Sequence, residues 1–374
     1  MRQDEGPLGG QQCVDPPLGA PEAGEVPLGG QSADAASSGS RAAGDTPARS
    51  LEYVLRPEDE ELFLGEILRR RLSFSSRMVK RVKFSGQLLL NGAAVPVRTR
   101  GRAGDLLTAV FPEEESASAP EEIPLDIIYE DDRLIAVNKP AGMVVHPTKG
   151  YTEGTLLNAL LGYAASKGES FSPHFVNRLD RNTSGVVLAA KDPHAHDLLS
   201  RSMAAGDLRK EYTAIVHGIV PESGRIDAPL GRDPRHKARR AVREDGYPSA
   251  TRFERLESFP AKPLAGVIPL SACDMAMGGF SLVRLVLETG RTHQIRAHMT
   301  HIGHPLLGDE LYAQLYGFWE DPQYMPRQAL HACRLEFTHP GSGERMDLRA
   351  ELPADMESCL GLLRKGGRIE EQDT

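Results

Sequence analysis

One carboxylate sits between two guanidinium groups in Asn177-Arg178-Leu179-Asp180-Arg181-Asn182-Thr183-Ser184-Gly185, with hydroxyls and a glycine behind it. Apolar runs at 175–178 and 186–190 read as strands flanking this polar loop. Neighbouring cations favour the charged form of an aspartate. A carboxylate held in that form suits a nucleophile better than a general acid. The same residues would also make a surface turn closed by Asx and hydroxyl hydrogen bonds. A second segment, Gly290-Arg291-Thr292-His293-Gln294-Ile295-Arg296, closes one predicted strand and opens a predicted helix. Arginines at such a start can bind phosphate or pair with a carboxylate, or simply lie exposed. A third, Lys210-Glu211-Tyr212-Thr213-Ala214, is a strand with one aromatic among polar residues. Tyr212 there is either half-buried packing or a face on which an unstacked base could rest.

Other chemistries find no support. His293, His298, His301 and His304 have suggestive intervals. A zinc site, however, needs inward-facing imidazoles and usually a carboxylate or thiolate partner. The break at His301-Ile302-Gly303-His304-Pro305 keeps the four off a common face, so structural hydrogen bonding is expected and no metal. There is no phosphate-binding G-x-x-x-x-G-K-[ST] run, no dinucleotide-binding G-x-G-x-x-G run and no G-x-S-x-G elbow. A retaining glycosidase would need two carboxylates roughly 5 Å apart, and the Asp180 loop offers one.

The elements that must position these residues follow from pattern. Leu64, Ile67, Leu68 and Leu72 line one helix face, and Ser75 or Ser76 can cap a second helix with Met78, Val79 and Val82 as its stripe. Asn91-Gly92 between apolar runs predicts a hairpin, and 106–111 a further strand. Beyond a Glu/Ser/Ala/Pro-rich stretch, strands are predicted at 127–129, 134–137, 212–216, 251–256 and 280–288. Helices are predicted after Thr155 and after Thr292, the latter turning Ile295, Met299 and Ile302 inward. Many strands with interspersed helices predict an α+β fold built on a large mixed sheet.

The chain has 374 residues, 40% hydrophobic and 26% charged, enough for two domains and a tail. No run of 18 apolar residues suggests a membrane span, and Met1-Arg2-Gln3-Asp4-Glu5 does not begin a secretory signal. Cys13, Cys273, Cys333 and Cys359 lie far apart, which predicts reduced thiols in a cytoplasmic protein. The net charge of −8 hides two basic islands. Residues 65–102 carry ten Lys/Arg against one Glu, and residues 232–243 six against one Asp. Islands of this kind read as phosphate-contacting surfaces, with Arg69, Arg77, Lys80, Arg81 and Lys83 in the first and Arg232, Lys237, Arg239 and Arg240 in the second. Residues 1–50 hold three Pro-Leu-Gly repeats and little that could form a core, so a disordered tail is expected.

Together the segments resemble the RluA/RluD family of RNA pseudouridine synthases. The Asp180, Tyr212 and Arg296 segments are similar to its three signature motifs, in order. Asn138-Lys139-Pro140-Ala141-Gly142-Met143-Val144-Val145-His146-Pro147 resembles its opening strand and turn, Gly231-Arg232-Asp233-Pro234 its RNA-gripping loop, and 301–309 the stretch after the third motif. Residues 60–112 resemble the S-four RNA-binding module often fused in front of this enzyme. One departure is Asn177, where relatives commonly carry His.

The resemblance implies a pseudouridine synthase fold, a mostly antiparallel mixed sheet with flanking helices and a central cleft, preceded by a small α/β module. It implies isomerisation of uridine in RNA with Asp180 as catalytic aspartate, Arg296 as its partner and Tyr212 packed on the target base. Arg178 would hold the base out of its stack, and Arg291 would bind RNA. It implies no cofactor or metal, a monomer, and ribosomal RNA as substrate with transfer RNA as the alternative. The expected organisation is a tail at 1–50, an S-four-like module at 51–112, a linker at 113–122, a catalytic domain at 123–355 and a C-terminal tail at 356–374. The rival reading is a non-catalytic RNA-binding or ribosome-assembly protein on the same fold, which would have no need of Asp180, Arg296 and Tyr212 together.

Overall fold

Binary patterning in the first described segment closes a small core of its own. A computed structural model describes residues 49–111, 116–264, 270–316 and 324–367. The repeat-containing tail through residue 48, residue 112 of the expected module, residues 113–115 of the expected linker, and residues 368–374 lie outside the described residues. Strand β1 (Ser50–Val54) leads to helices α1 (Leu64–Arg70) and α2 (Ser76–Ser85), then β2 (Gln87–Leu90), β3 (Ala93–Ala94) and β4 (Leu106–Val110). Leu64, Ile67, Leu68, Met78 and Val82 are buried, as their spacing predicts. The Ser75 hydroxyl accepts from the Met78 N–H and starts α2. Asn91 and Gly92 both take positive φ, the two-residue turn that matches strand twist. The four strands order β1-β4-β2-β3.

The larger part is one ten-stranded sheet. Its strands are β5 (Ile127–Glu130), β6 (Leu134–Lys139), β7 (His174–Phe175), β8 (Ser184–Ala190), β9 (Arg209–His217), β10 (Ser223–Asp227), β13 (Ala250–Pro260), β14 (Gly279–Leu287), β15 (Leu330–Thr338) and β16 (Arg345–Arg349). A separate hairpin, β11 (Leu230–Arg232) and β12 (Arg240–Val242), carries the second basic island. The main path runs β10-β13-β14-β9-β15-β8-β6-β5, with β7 on β8 and β16 on β15. All pairings are antiparallel except β8 with β15, which meet through His331 opposite Ser184 and Ala332 opposite Gly185. The fold is therefore α+β with a mixed, mostly antiparallel sheet.

Helices α3 (Leu156–Ser166), α4 (Pro193–Ala205), α5 (Ala261–Leu264), α6 (Ala272–Ala276), α7 (Gln294–His301) and α8 (Ala354–Gly367) cover the sheet. The strand expected at 175–178 is shorter, and Asn177 shows why the chain leaves the ladder there. Its buried amide donates to the Val186 carbonyl and accepts from the Leu188 N–H, doing with a side chain what a strand does with backbone. The tail expected at 356–374 is corrected as well. Met356, Cys359, Leu360 and Leu363 of α8 are buried against Leu264, Phe280 and Leu282, so this helix belongs to the core. Its polar composition hid an apolar stripe at i, i+3, i+4 and i+7.

The small module packs directly on the sheet domain, and both lie in one compact unit. Phe74 stacks on the His194 ring with centroids 4.3 Å apart. His194 Nε2 lies 2.8 Å from the Leu72 carbonyl, and Arg133 donates to its Nδ1 at 3.0 Å. The Ser75 hydroxyl donates to Asp197 and the Arg201 guanidinium to the Ser73 carbonyl.

Candidate active site

Asp180 lies in the loop between β7 and β8, where the sheet's two antiparallel halves join through the short parallel contact of β8 with β15. Backbone approach is tight here. Gly185 takes φ +114°, and a Cβ at that position would come 2.2 Å from the Ala332 carbonyl oxygen, so only glycine fits. The loop is held from three directions. The Thr183 N–H donates to the Asp180 carbonyl. Arg327 donates to the Asn182 carbonyl and the Ser184 hydroxyl, and is itself held by both oxygens of Asp355. Lys139, fully buried at the end of β6, donates to the carbonyls of Pro140, Met143 and Arg181 at 2.8, 2.8 and 3.1 Å. Burial, with the Arg327 charge, pulls the Lys139 ammonium down to about 7, against the opposing pull of Asp180.

The arginine partner comes from the first turn of α7. Arg296 Nη1 donates to Asp180 Oδ2 at 3.1 Å, while Nε and Nη2 grip Asp309 at 2.7 and 2.8 Å. Arg296 is 7% exposed and Asp309 1%. Burial alone would lower the guanidinium pKa, but Asp309 and Asp180 more than offset it and raise it. Its charge is thus secured inside the protein, where an unpaired cation would be costly. Asp180 keeps a quarter of its side chain exposed. Among the described residues nothing donates a hydrogen bond to its Oδ1.

Two further side chains close the site. His293 takes φ +55°, uncommon for a residue with a Cβ, as it turns the chain into α7. Its Nε2 stands 3.7 Å from Asp180 Oδ2 and its Nδ1 3.1 Å from the Tyr312 hydroxyl. Burial lowers the His293 pKa against the opposing charge of Asp180. The Tyr312 hydroxyl accepts from the Arg240 N–H, and its ring faces the Arg296 guanidinium. Tyr212 on β9 is 5% exposed. Burial, then the nearby Asp180 charge and Cys333, push its phenol up, so it stays protonated at neutral pH.

The structure therefore pairs Asp180 with Arg296 and leaves Tyr212 buried within reach of the Asp180 charge. Lys139, Asp309, Arg327, His293 and Tyr312 were not predicted as site residues, although Lys139, His293 and Asp309 lie within the segments singled out. The predicted phosphate-contacting residues divide. Arg178, Arg232, Lys237 and Arg291 are exposed, as are Arg69, Arg77, Lys80 and Lys83 of the module. Arg81 is half-buried. Arg239 is not a free surface cation, because it pairs at 3.2 Å with the buried Asp233 and pins the turn between β11 and β12. Arg240 is also half-buried, its backbone tied to Tyr312. Of the four closely spaced histidines, His298 bridges the Thr251 hydroxyl and the Ala228 carbonyl, and His304 meets the His217 carbonyl.

A family model described as RNA pseudouridylate synthase matches residues 133–301. The chain is 39% identical over 294 residues to the RNA pseudouridine synthase YlyB of Bacillus subtilis (strain 168), covering 75% of this chain and 87% of that protein. It is 40% identical over 258 residues to the ribosomal large subunit pseudouridine synthase D of Nitrosomonas europaea, covering 67% and 69%. Among solved structures, human RNA pseudouridylate synthase domain containing 1 is similar at 23% identity and a TM-score of 0.49, over 66% of this chain and 97% of that one. Asp180 and Arg296 both fall inside the matched region, and with relatives this similar along most of their length the chain belongs to the RNA pseudouridine synthase family.

Proposed function

We propose that this enzyme isomerises uridines of large-subunit ribosomal RNA to pseudouridine, with Asp180 as its catalytic carboxylate. The observation that carries the reading is the asymmetry of that side chain. Oδ2 is gripped by Arg296, while Oδ1 accepts from no described residue and faces a part-exposed site. One oxygen is fixed and the other is left to react. The reaction breaks the bond from ribose C1′ to N1, turns the uracil and joins C1′ to C5. The proton lost from C5 balances the one gained at N1, so nothing is oxidised, reduced or hydrolysed. A carboxylate serves this sequence by adding to the sugar, adding to the base, or taking a sugar proton as the bond breaks. Tyr212 offers a neutral phenol ring on which the target base can pack; because it stays protonated, it is not itself the base that takes the C5 proton. Arg178, exposed next to Asp180, is suited to fill the space a flipped base leaves.

The ribosomal substrate is supported by the name of the Nitrosomonas relative and by the exposed cations of α2 and the β11–β12 hairpin. Residues 51–112 act as an S-four-like RNA-binding module in this reading. The free thiols Cys333 and Cys359 fit a cytoplasmic enzyme. Asp180→Asn keeps the shape of the side chain and removes its charge. Turnover, measured as tritium released from C5-labelled uridine in a large-subunit transcript, should fall by at least about a thousand-fold, with filter-binding affinity retained. Substantial residual turnover would overturn the assignment.

A further inference from the structure

Tyr247 is 70% exposed, and the catalytic machinery described above makes no use of it. A lone exposed aromatic is ordinary, but this one is displayed on a fixed backbone. Its N–H and carbonyl both pair with Leu230 of β11 at 2.9 Å, and the Ser249 hydroxyl donates to the same carbonyl. The Arg291 guanidinium lies 5.4 Å from the ring centre. Arg291 is exposed as well, and its N–H is anchored on the Gln294 side chain at 3.0 Å. Two exposed planar groups are thus held against each other by pinned main chain.

Their position is as telling as their rigidity. Arg291 stands two residues before His293 and five before Arg296, both of which reach Asp180. On the other side, Tyr247 is tied to the hairpin that carries the exposed Arg232 and Lys237. Arg243, beside it, is occupied by Asp245. An aromatic face flanked by cations that can track a phosphate backbone is how single-stranded nucleic acid is held without regard to sequence. Extracting a uridine from its stack leaves its neighbours partly unstacked, at a cost of a few kcal/mol.

We propose that Tyr247, backed by Arg291, is a stacking platform for an unpaired RNA base adjacent to the uridine being modified. This rests on the RNA-isomerase reading and adds a second base contact to it. The platform recovers on one base part of the stacking lost at another.

The test compares wild type, Tyr247→Ala and Tyr247→Trp by fluorescence anisotropy. The probes are a labelled short oligouridine and a labelled ribose-phosphate oligomer of the same length without bases. Tyr247→Ala should bind oligouridine about 5- to 100-fold more weakly and the abasic oligomer as wild type does, while Tyr247→Trp keeps oligouridine affinity. Unchanged oligouridine binding by Tyr247→Ala would overturn the proposal. An equal loss on both probes would also overturn it, by assigning the effect to phosphate. Tritium release by wild type keeps the two readings apart. Turnover without a Tyr247 effect removes the platform alone, whereas a base-dependent Tyr247 effect without turnover removes the isomerase reading and leaves the platform.

Discussion

Arg296 and the cations of α2 carry the same charge in opposite settings. Arg296 is almost wholly buried, with three of its donors on two carboxylates. Arg77, Lys80 and Lys83 project from α2 into solvent and pair with no described carboxylate. A buried charge must be matched to survive desolvation, and once matched it fixes geometry. An exposed, unmatched charge fixes nothing, but it is available to a phosphate and its effect is screened by salt. An arginine count in the sequence treats the two alike. Their surroundings separate a group that holds Asp180 from groups suited to hold a substrate. Arg239 shows that the division does not follow the sequence islands, since it sits inside a basic run and yet behaves like Arg296.

The sharpest way to break the comparison is to unmatch the buried charge. Asp309→Ala strands a guanidinium with only Asp180 to face. Urea unfolding should show a loss of about 3–5 kcal/mol, and turnover should fall with it. Stability within about 1 kcal/mol of wild type would mean that Arg296 does not depend on its pairing. Removing the unmatched charges should look quite different. With Arg77, Lys80 and Lys83 all changed to Ala, stability should hold and the single-turnover rate at saturating RNA should be unchanged. The slope of log affinity against log salt should flatten by about 2–3. An unchanged slope would show that this face of α2 meets no phosphate.

The smallest effect concerns the seam between module and sheet domain. Burial, with the Arg133 charge, holds the His194 pKa below its ordinary 6.5. The unfolded chain therefore takes up this proton first as pH falls. The stability linked to His194 is intact above about pH 6.5 and is lost progressively below it. His194→Gln can still donate to the Leu72 carbonyl but cannot protonate. Between pH 7 and 5 it should lose less stability than wild type, by about 1 kcal/mol or less. A larger acid loss in the variant would reverse the sign and remove His194 from the account.

Much of the site was legible because its chemistry is local. Asp180 between two arginines, Tyr212 in a polar strand and Arg296 at a helix start each stand out within a few residues, but each also allows a bland reading, and only the resemblance of the three segments together singles them out. Asp309 does not, because Gly308-Asp309 reads as an ordinary turn until the fold buries it beside α7. Lys139 escapes notice for the same reason. Nothing in Asn138-Lys139-Pro140 says that three carbonyls from two separate segments will surround its ammonium. Among the elements, α1 and α2 and the Asn91-Gly92 hairpin follow from period and turn chemistry. The strands β15 and β16 do not, because their alternation is interrupted by arginines that pair with Asp347 and Glu336 at the surface. Helix α8 was missed because its apolar stripe is narrow.

The Phe74–His194 seam has a thermodynamic consequence for whatever spans it. A module on a flexible tether must be ordered relative to its neighbour each time a shared ligand binds, and that ordering weakens the complex. Here ring stacking, the Leu72 and Ser73 carbonyls and the Ser75 hydroxyl have already done the ordering during folding. A ligand that touches both parts meets a single preformed surface, and the second contact follows the first at an effective concentration set by fixed geometry rather than by the wandering of a linker.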